Sequence, residues 1–314
     1  MNGSEWLRMR VAALDIGTNT ILLLVADVAD GRIVNVLHDG HDIARLGEGV
    51  HATRTITPAA FQRALSSLTS YQKVIDSFQP DVVAAVGTSA LRDALNRNEL
   101  SDFIKEKLGF PIEVISGDEE ALWTYVGALS GFSLAHESYA VIDIGGGSTE
   151  IIGGTARSIS QKISLDIGAV RITELFNLNA EPTARRVEEA SLYVRTEIEK
   201  ANAAALFHSF AIGVAGTVTT LATIDLQLPA FDAASIAGVA LSRQSIDHIV
   251  QRFRWMTVDN IKQMPQVAAG RADVIFGGSL ILSEFLLAGR FDSIAVSDRG
   301  LRYGLALREA QRAT

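Results

Sequence analysis

Residues 139–153 read YAVIDIGGGSTEIIG, an apolar run that delivers one carboxylate, Asp143, to the mouth of a triple-glycine turn. Tyr139 to Ile144 reads as a buried strand, and a second strand leaves through Ser148, Thr149 and Glu150. Gly145, Gly146 and Gly147 can take the positive φ angles that a tight turn requires. Without Cβ atoms they also let bare backbone N–H groups approach an anion, while Asp143 and Glu150 offer hard oxygen ligands to a divalent cation. The pattern occurs a second time. VAALDIGTNTILLLVAD, residues 11–27, has the same strand, a turn through Asp15, Gly17, Thr18 and Asn19, and a returning strand. A single D-x-G between apolar runs would be read as a plain hairpin. Two copies with an aspartate at the same point and a Ser/Thr after it do not follow from turn chemistry alone, so the chain reads as two copies of one phosphate-handling unit.

Outward from these hairpins, strands alternate with helices. Arg32 to Leu37 reads as a third strand, followed by a long polar loop in which His38, His41 and His51 read as solvated rather than as zinc ligands. Thr57 caps a helix with Pro58 at its first position. The strand Asp81 to Val86 then ends in GTSALRDALN, a further anion cradle. Arg92 sits one turn into the helix expected there, where a cation works against the dipole unless an anion is near; an ordinary surface arginine is the alternative. After the strand Ile112 to Ile115 comes SGDEEA, in which Ser116 and Glu119 have capping-box spacing. Glu119 thus has a structural task. Glu120 has none, and it projects from the positive end of a helix, where an ionised carboxylate is favoured and can take a proton from water.

The linker Gly131 to Glu137 sets a boundary between a domain of residues 1–132 and one of residues 133–314, with the terminal helix, about 299–314, open to packing back on the first. In the second half, IGAVRITELF starts a helix at a glycine and carries Arg171, and residues 182–202 form an amphipathic helix burying Val187, Ala190, Val194 and Ile198. Phe210 to Val214 followed by AGTVTTLATI repeats strand, glycine turn and helix, with Gly216 and Thr217 as a third phosphate contact. Gly277 and Gly278 admit either a ligand or close helix packing. Strands joined by helices, with hairpins at the two repeats, indicate an α/β chain of two sheet-centred domains.

Composition narrows the function. Hydrophobic residues are 48% of 314 and no apolar segment is long enough to span a bilayer, so a soluble protein with no membrane partner is expected. The first residues lack an apolar signal region, and with Cys 0 a cytoplasmic location is expected. Lys+Arg 28 against Asp+Glu 36 gives a net charge of -8, which argues against a nucleic-acid partner held by a wide basic face. A phosphate ligand would then rely on metal ions and backbone amides.

DIGTNT at Asp15, RLGEG at Arg45, GTSALRDALN at Gly87, SGDEEA at Ser116, IDIGGGSTE at Ile142, IGAVRITE at Ile167, GVAGTVTTLA at Gly213, GRADVI at Gly270 and SDRGLRYG at Ser297 together resemble the exopolyphosphatase and guanosine-pentaphosphate phosphatase family, within the actin-like, sugar-kinase and heat-shock ATPase superfamily. The resemblance implies two ribonuclease-H-like domains with an active-site cleft between them, and a Mg²⁺-dependent hydrolase for which Mn²⁺ is an alternative metal. Matched by position, it assigns the water-activating glutamate to Glu120 and the metal-binding acids to Asp143 and Glu150, with Asp15 as the opposing acid. It places phosphate on Gly17, Thr18, Asn19, Arg92, Gly145, Gly146, Gly147, Ser148, Arg171, Gly216 and Thr217. The implied substrate is inorganic polyphosphate, with guanosine pentaphosphate as the alternative, a nucleotide-binding actin-like or sugar-kinase protein as a more distant reading, and a homodimer open as the assembly. Two departures stand out: Leu122 replaces an arginine common in the family, and the sequence ends at Thr314 without the helical C-terminal domains of longer members. The second, with few clustered cations, leads to an expected preference for short chains.

Overall fold

The computed structural model describes residues 8–180, 182–201 and 210–313, and the chain divides into two compact units. The first comprises residues 1–130 and 301–314, the second residues 131–300. The terminal helix, Leu301–Arg312, therefore counts with the first unit, and the division falls after Ser130 rather than after residue 132.

The first unit is built on five strands: β1 (Met9–Ile16), β2 (Ile21–Ala29), β3 (Arg32–Asp42), β4 (Val82–Gly87) and β5 (Ile112–Val114), in the sheet order β3-β2-β1-β4-β5. β1 runs antiparallel to β2 and parallel to β4. Alternate side chains of β1 go to opposite faces. Ala12, Leu14 and Ile16 pack with Ala60, Ala64, Leu68 and Ile75 of the Thr57-capped helix Pro58–Phe78, whereas Val11 and Ala13 pack with Leu305 and Ala306 of the terminal helix. A strand covered on both faces needs an unbroken apolar run, which is what residues 11–14 supply. β3 is longer than the sequence suggests. It continues through His38 and His41, expected in a loop, and pairs with β2 across two register shifts. His51 lies in the four-residue helix Val50–Thr53.

The second unit repeats the order. β6 (Tyr139–Ile144), β7 (Thr149–Gly154), β8 (Ile159–Leu165), β9 (Phe210–Val214), β10 (Ala240–Ser242) and β11 (Ser293–Val296) form the sheet β10-β11-β9-β6-β7-β8. Read from β8, its first five strands match the first sheet, and antiparallel β10 extends the far edge. The expected α/β chain of two ribonuclease-H-like sheets is thus observed. The helix Ala184–Lys200 buries Val187, Ala190, Val194 and Ile198 as its periodicity requires; residue 202, where the sequence would end it, lies outside the described residues. Among the described residues no helix is long and apolar enough to cross a membrane.

Candidate active site

In the first unit β1 carries the half-buried Asp15 to a tight turn, closed by the Gly17 N–H donating to the Thr20 carbonyl at 3.1 Å. A Cβ on Gly17 would lie 2.8 Å from that same oxygen, so the glycine is required by close approach. Thr18 and Asn19 are buried, and their carbonyls accept from the N–H groups of Gly47 and Arg45 at 2.8 and 2.9 Å. The DIGTNT and RLGEG segments, distant in sequence, are therefore neighbours.

Thr88 and Ser89, also buried, follow β4 and open a helix of only five residues, Ser89–Asp93. The shortness corrects the dipole argument for Arg92. It lies in the last turn of that helix, where a cation is favoured. Its guanidinium donates from Nη1 to Glu120 Oε2 at 2.7 Å and to the Ile115 carbonyl at 3.2 Å. Arg92 therefore orders the carboxylate instead of standing on the surface.

Glu120 belongs to the helix Gly117–Leu129, whose start is the predicted capping box. Ser116 Oγ accepts from the Glu119 N–H at 3.2 Å, and Glu119 Oε2 accepts from the Ser116 N–H at 3.0 Å. The Ser116 N–H and the Ser116 hydroxyl, which also donates to Glu119 Oε2 at 3.0 Å, hold the Glu119 carboxyl below the usual range. Glu120 behaves oppositely. It is 8% exposed, and burial pushes its carboxyl upward, with the Arg92 charge and hydrogen bond pulling the other way. The expectation that the helix end keeps this group readily ionised is corrected: burial prevails, and a raised pKa makes the group a better proton acceptor near neutral pH.

In the second unit Asp143 and Glu150 face each other across the β6–β7 ladder, which sets both carboxylates on one side of the hairpin. Ser164 Oγ donates to Glu150 Oε1 at 2.8 Å. Like charges set opposite on a sheet repel, and a divalent cation relieves this. Two carboxylates also suit Mg²⁺, which keeps several waters and takes other ligands from phosphate; among the described residues no group of three or more His, Asp or Glu forms a closed metal cage. Asp15 is in the other unit, where Leu22 occupies the position opposite it.

The glycine turn departs from its expected conformation. None of Gly145, Gly146 and Gly147 has a positive φ. The close backbone approach instead requires a glycine at position 168, where a Cβ would lie 2.4 Å from the Gly146 carbonyl oxygen. The helix Ala169–Phe176 begins there, and its first N–H groups donate to the turn, Ala169 to Gly145 O at 2.9 Å and Val170 to Gly146 O at 2.8 Å. Arg171 Nε donates to Gly147 O at 2.7 Å. The turn's carbonyls are thus taken up by a helix N-terminus and an arginine, while the N–H groups of Gly146 and Gly147 make no hydrogen bond among the described residues. Gly147 and Ser148 are buried. Buried N–H groups are normally satisfied, so the N–H of buried Gly147, with that of half-buried Gly146 beside it, suits an acceptor from outside.

Gly216 and Thr217 open the helix Ala215–Asp225 after β9. Gly216 lies against the Arg271 guanidinium, with Nη1 only 1.6 Å from where a Cβ would stand, and burial pushes that guanidinium down to about 10. A desolvated cation at a helix N-terminus favours an anion there. In the sequence Arg271 stands out only as part of the GRADVI segment; the partner that defines it, Gly216, is 55 residues away in the chain. Gly277 and Gly278 serve packing: Cβ atoms there would lie 2.6 and 2.5 Å from the hydroxyls of Thr173 and Thr217.

Comparison with known proteins finds relatives along nearly the whole chain. The model of the Ppx/GppA phosphatase family matches residues 24–313. "Exopolyphosphatase 2" of Mycobacterium tuberculosis is 36% identical over 313 residues, 95% of this chain and 98% of the relative. Among solved structures, an Aquifex aeolicus member of the Ppx/GppA family superposes with a TM-score of 0.81 at 29% identity, covering 98% of this chain and 99% of that one. An exopolyphosphatase from Cytophaga hutchinsonii gives 0.87 at 26% identity, covering 96% and 98%.

Proposed function

The chain belongs to the Ppx/GppA phosphatase family, and from that premise we propose that it is an exopolyphosphatase, releasing terminal orthophosphate from inorganic polyphosphate by attack of water. The water oxygen forms a bond to the terminal phosphorus as the bond to the bridging oxygen breaks, leaving a chain one phosphate shorter. Glu120 accepts the proton from the water, and Arg92 holds its carboxylate in place. The N–H groups of Gly146 and Gly147 bind the phosphoryl oxygens, and Arg271 with the start of the helix Ala215–Asp225 binds a further phosphate. Asp143 and Glu150 would hold a Mg²⁺ ion, which neutralises phosphoryl charge when bound. The proposal places the enzyme in the cytoplasm, which Cys 0 permits.

The observation that carries the reading is the contrast between two adjacent glutamates. Glu119 is consumed by the helix cap, whereas Glu120 is buried, raised in pKa and fixed by an arginine. Glu120→Gln keeps the shape and removes the base. It is expected to lower phosphate release by at least about 10³-fold while leaving polyphosphate binding within about threefold. Release at a rate near that of the parent would overturn the assignment.

A further inference from the structure

The helix that carries Glu120 is touched by a segment almost two hundred residues later. Gly304, in the terminal helix Leu301–Arg312, is buried, and a Cβ placed on it would lie 1.8 Å from the Trp123 carbonyl oxygen, 2.6 Å from its carbon and 3.0 Å from its Cα. All three atoms are backbone, so no side chain can swing aside. Since ordinary contact begins at 3.4 Å, any residue but glycine must part the two helices by more than an ångström. Trp123 is three residues from Glu120 on the same rigid helix, less than one turn.

The terminal helix is not free to give way. Arg302 donates to both oxygens of Asp39 at 2.7 and 2.9 Å, and Tyr303 Oη donates to the same carboxylate at 2.8 Å. About one and a half turns beyond, Arg308 donates to Glu113 at 2.9 Å. Asp39 is on β3 and Glu113 on β5, the two edge strands of the first sheet. The helix is tied at both edges, and Leu301, Leu305, Ala306 and Leu307 are buried between. By contrast, Glu120 meets Arg92 end to end, through a 2.7 Å bond from the guanidinium. Forced apart, the pair of helices yields on the Glu120 side.

We propose that Gly304 is a positioning residue for the catalytic base: its bare Cα sets how far the Glu120 helix lies from the terminal helix, and so the length of the Arg92–Glu120 bond. The activity arms of the test rest on the exopolyphosphatase reading, while its structural arm does not.

The test compares Gly304→Ala with the parent and with Gly289→Ala, a packing control whose Cβ would meet the Phe291 ring in the second unit. Gly304→Ala is expected to lower kcat by about 10- to 100-fold, as an ångström's misplacement can, with KM within about twofold. Losing Arg92 raises the Glu120 pKa further, so the acid limb of the pH–rate profile moves to higher pH. Gly289→Ala keeps kcat and the limb. A crystal structure of Gly304→Ala should show Arg92 Nη1 and Glu120 Oε2 beyond 3.5 Å. If Gly304→Ala does not fold, Arg302→Ala, which slackens one tie, carries the test: kcat falls several-fold and the limb shifts the same way. An unshifted limb with unchanged kcat in the folded variant, or a crystal structure retaining the Arg92–Glu120 bond, overturns the proposal. A parent that releases no phosphate from polyphosphate would refute the functional reading, and the crystal structure would still decide the positioning role.

Discussion

Two neighbouring glutamates illustrate how opposite environments give identical side chains opposite effects on folding. Glu119 titrates below its ordinary value of 4.5 because Ser116 bonds to it, so its contribution favours the fold above that value and is lost as pH falls through the lower one. Glu120 titrates above 4.5 because it is buried; its contribution is complete below that value and turns against the fold as pH rises. At pH 8, therefore, Glu119→Gln should cost about 0.5–1 kcal/mol, the range of a weakened and solvent-screened cap. Glu120→Gln should instead raise Tm, by on the order of 2–4 °C, and both differences should shrink toward pH 4. Thermal melts across pH check this; a destabilised Glu120→Gln would mean the Arg92 pairing outweighs the burial. The cap was legible in the sequence because a serine and a glutamate three apart suffice to form it. The raised pKa was not, since burial and the Arg92 partner, 28 residues away, are products of tertiary packing.

The two hairpins were legible because strand, acid and glycine recur together, but the reason for the glycines was not. Sequence suggests a need for positive φ, which none of Gly145, Gly146 and Gly147 shows, whereas close approach requires a glycine at residue 168, where the next helix meets the turn more than twenty residues earlier. Gly168→Ala should accordingly weaken phosphate binding by about tenfold or more even though residue 168 offers no charge; calorimetry with inorganic phosphate reads it, and unchanged affinity would contradict the packing account. The extension of β3 through His38 and His41 escaped notice for a similar reason. Its polar residues carry no apolar alternation, and its pairing is fixed by β2. In the same hairpin, Asp143→Asn and Glu150→Gln should each raise the Mg²⁺ concentration for half-maximal rate by about tenfold or more, with partial rescue by excess metal. Ser164→Ala, which removes only a hydrogen bond to Glu150, should raise it less. Activity that survives thorough chelation would remove the metal from the account.

For the whole molecule the decisive quantities are charge and connectivity. The terminal helix returns from the second unit to the first and closes one face of its sheet, a placement that sequence leaves open because an amphipathic helix does not name its partner sheet. A net charge of -8 leaves few cations for a long polyanion, and of the arginines near the proposed site Arg92 and Arg171 hold Glu120 and the glycine turn. Hydrolysis should then be distributive, with a modest salt dependence. Early gel ladders of a long substrate should shift smoothly downward, and intact polymer beside free phosphate would contradict this. Most direct is the initial rate of orthophosphate release, with Mg²⁺, from short polyphosphate, long polyphosphate, guanosine pentaphosphate and ATP measured side by side. The account predicts that polyphosphate is hydrolysed fastest per chain end, short chains ahead of long, with ATP slowest. Faster release from ATP or guanosine pentaphosphate, or none from polyphosphate, would contradict it.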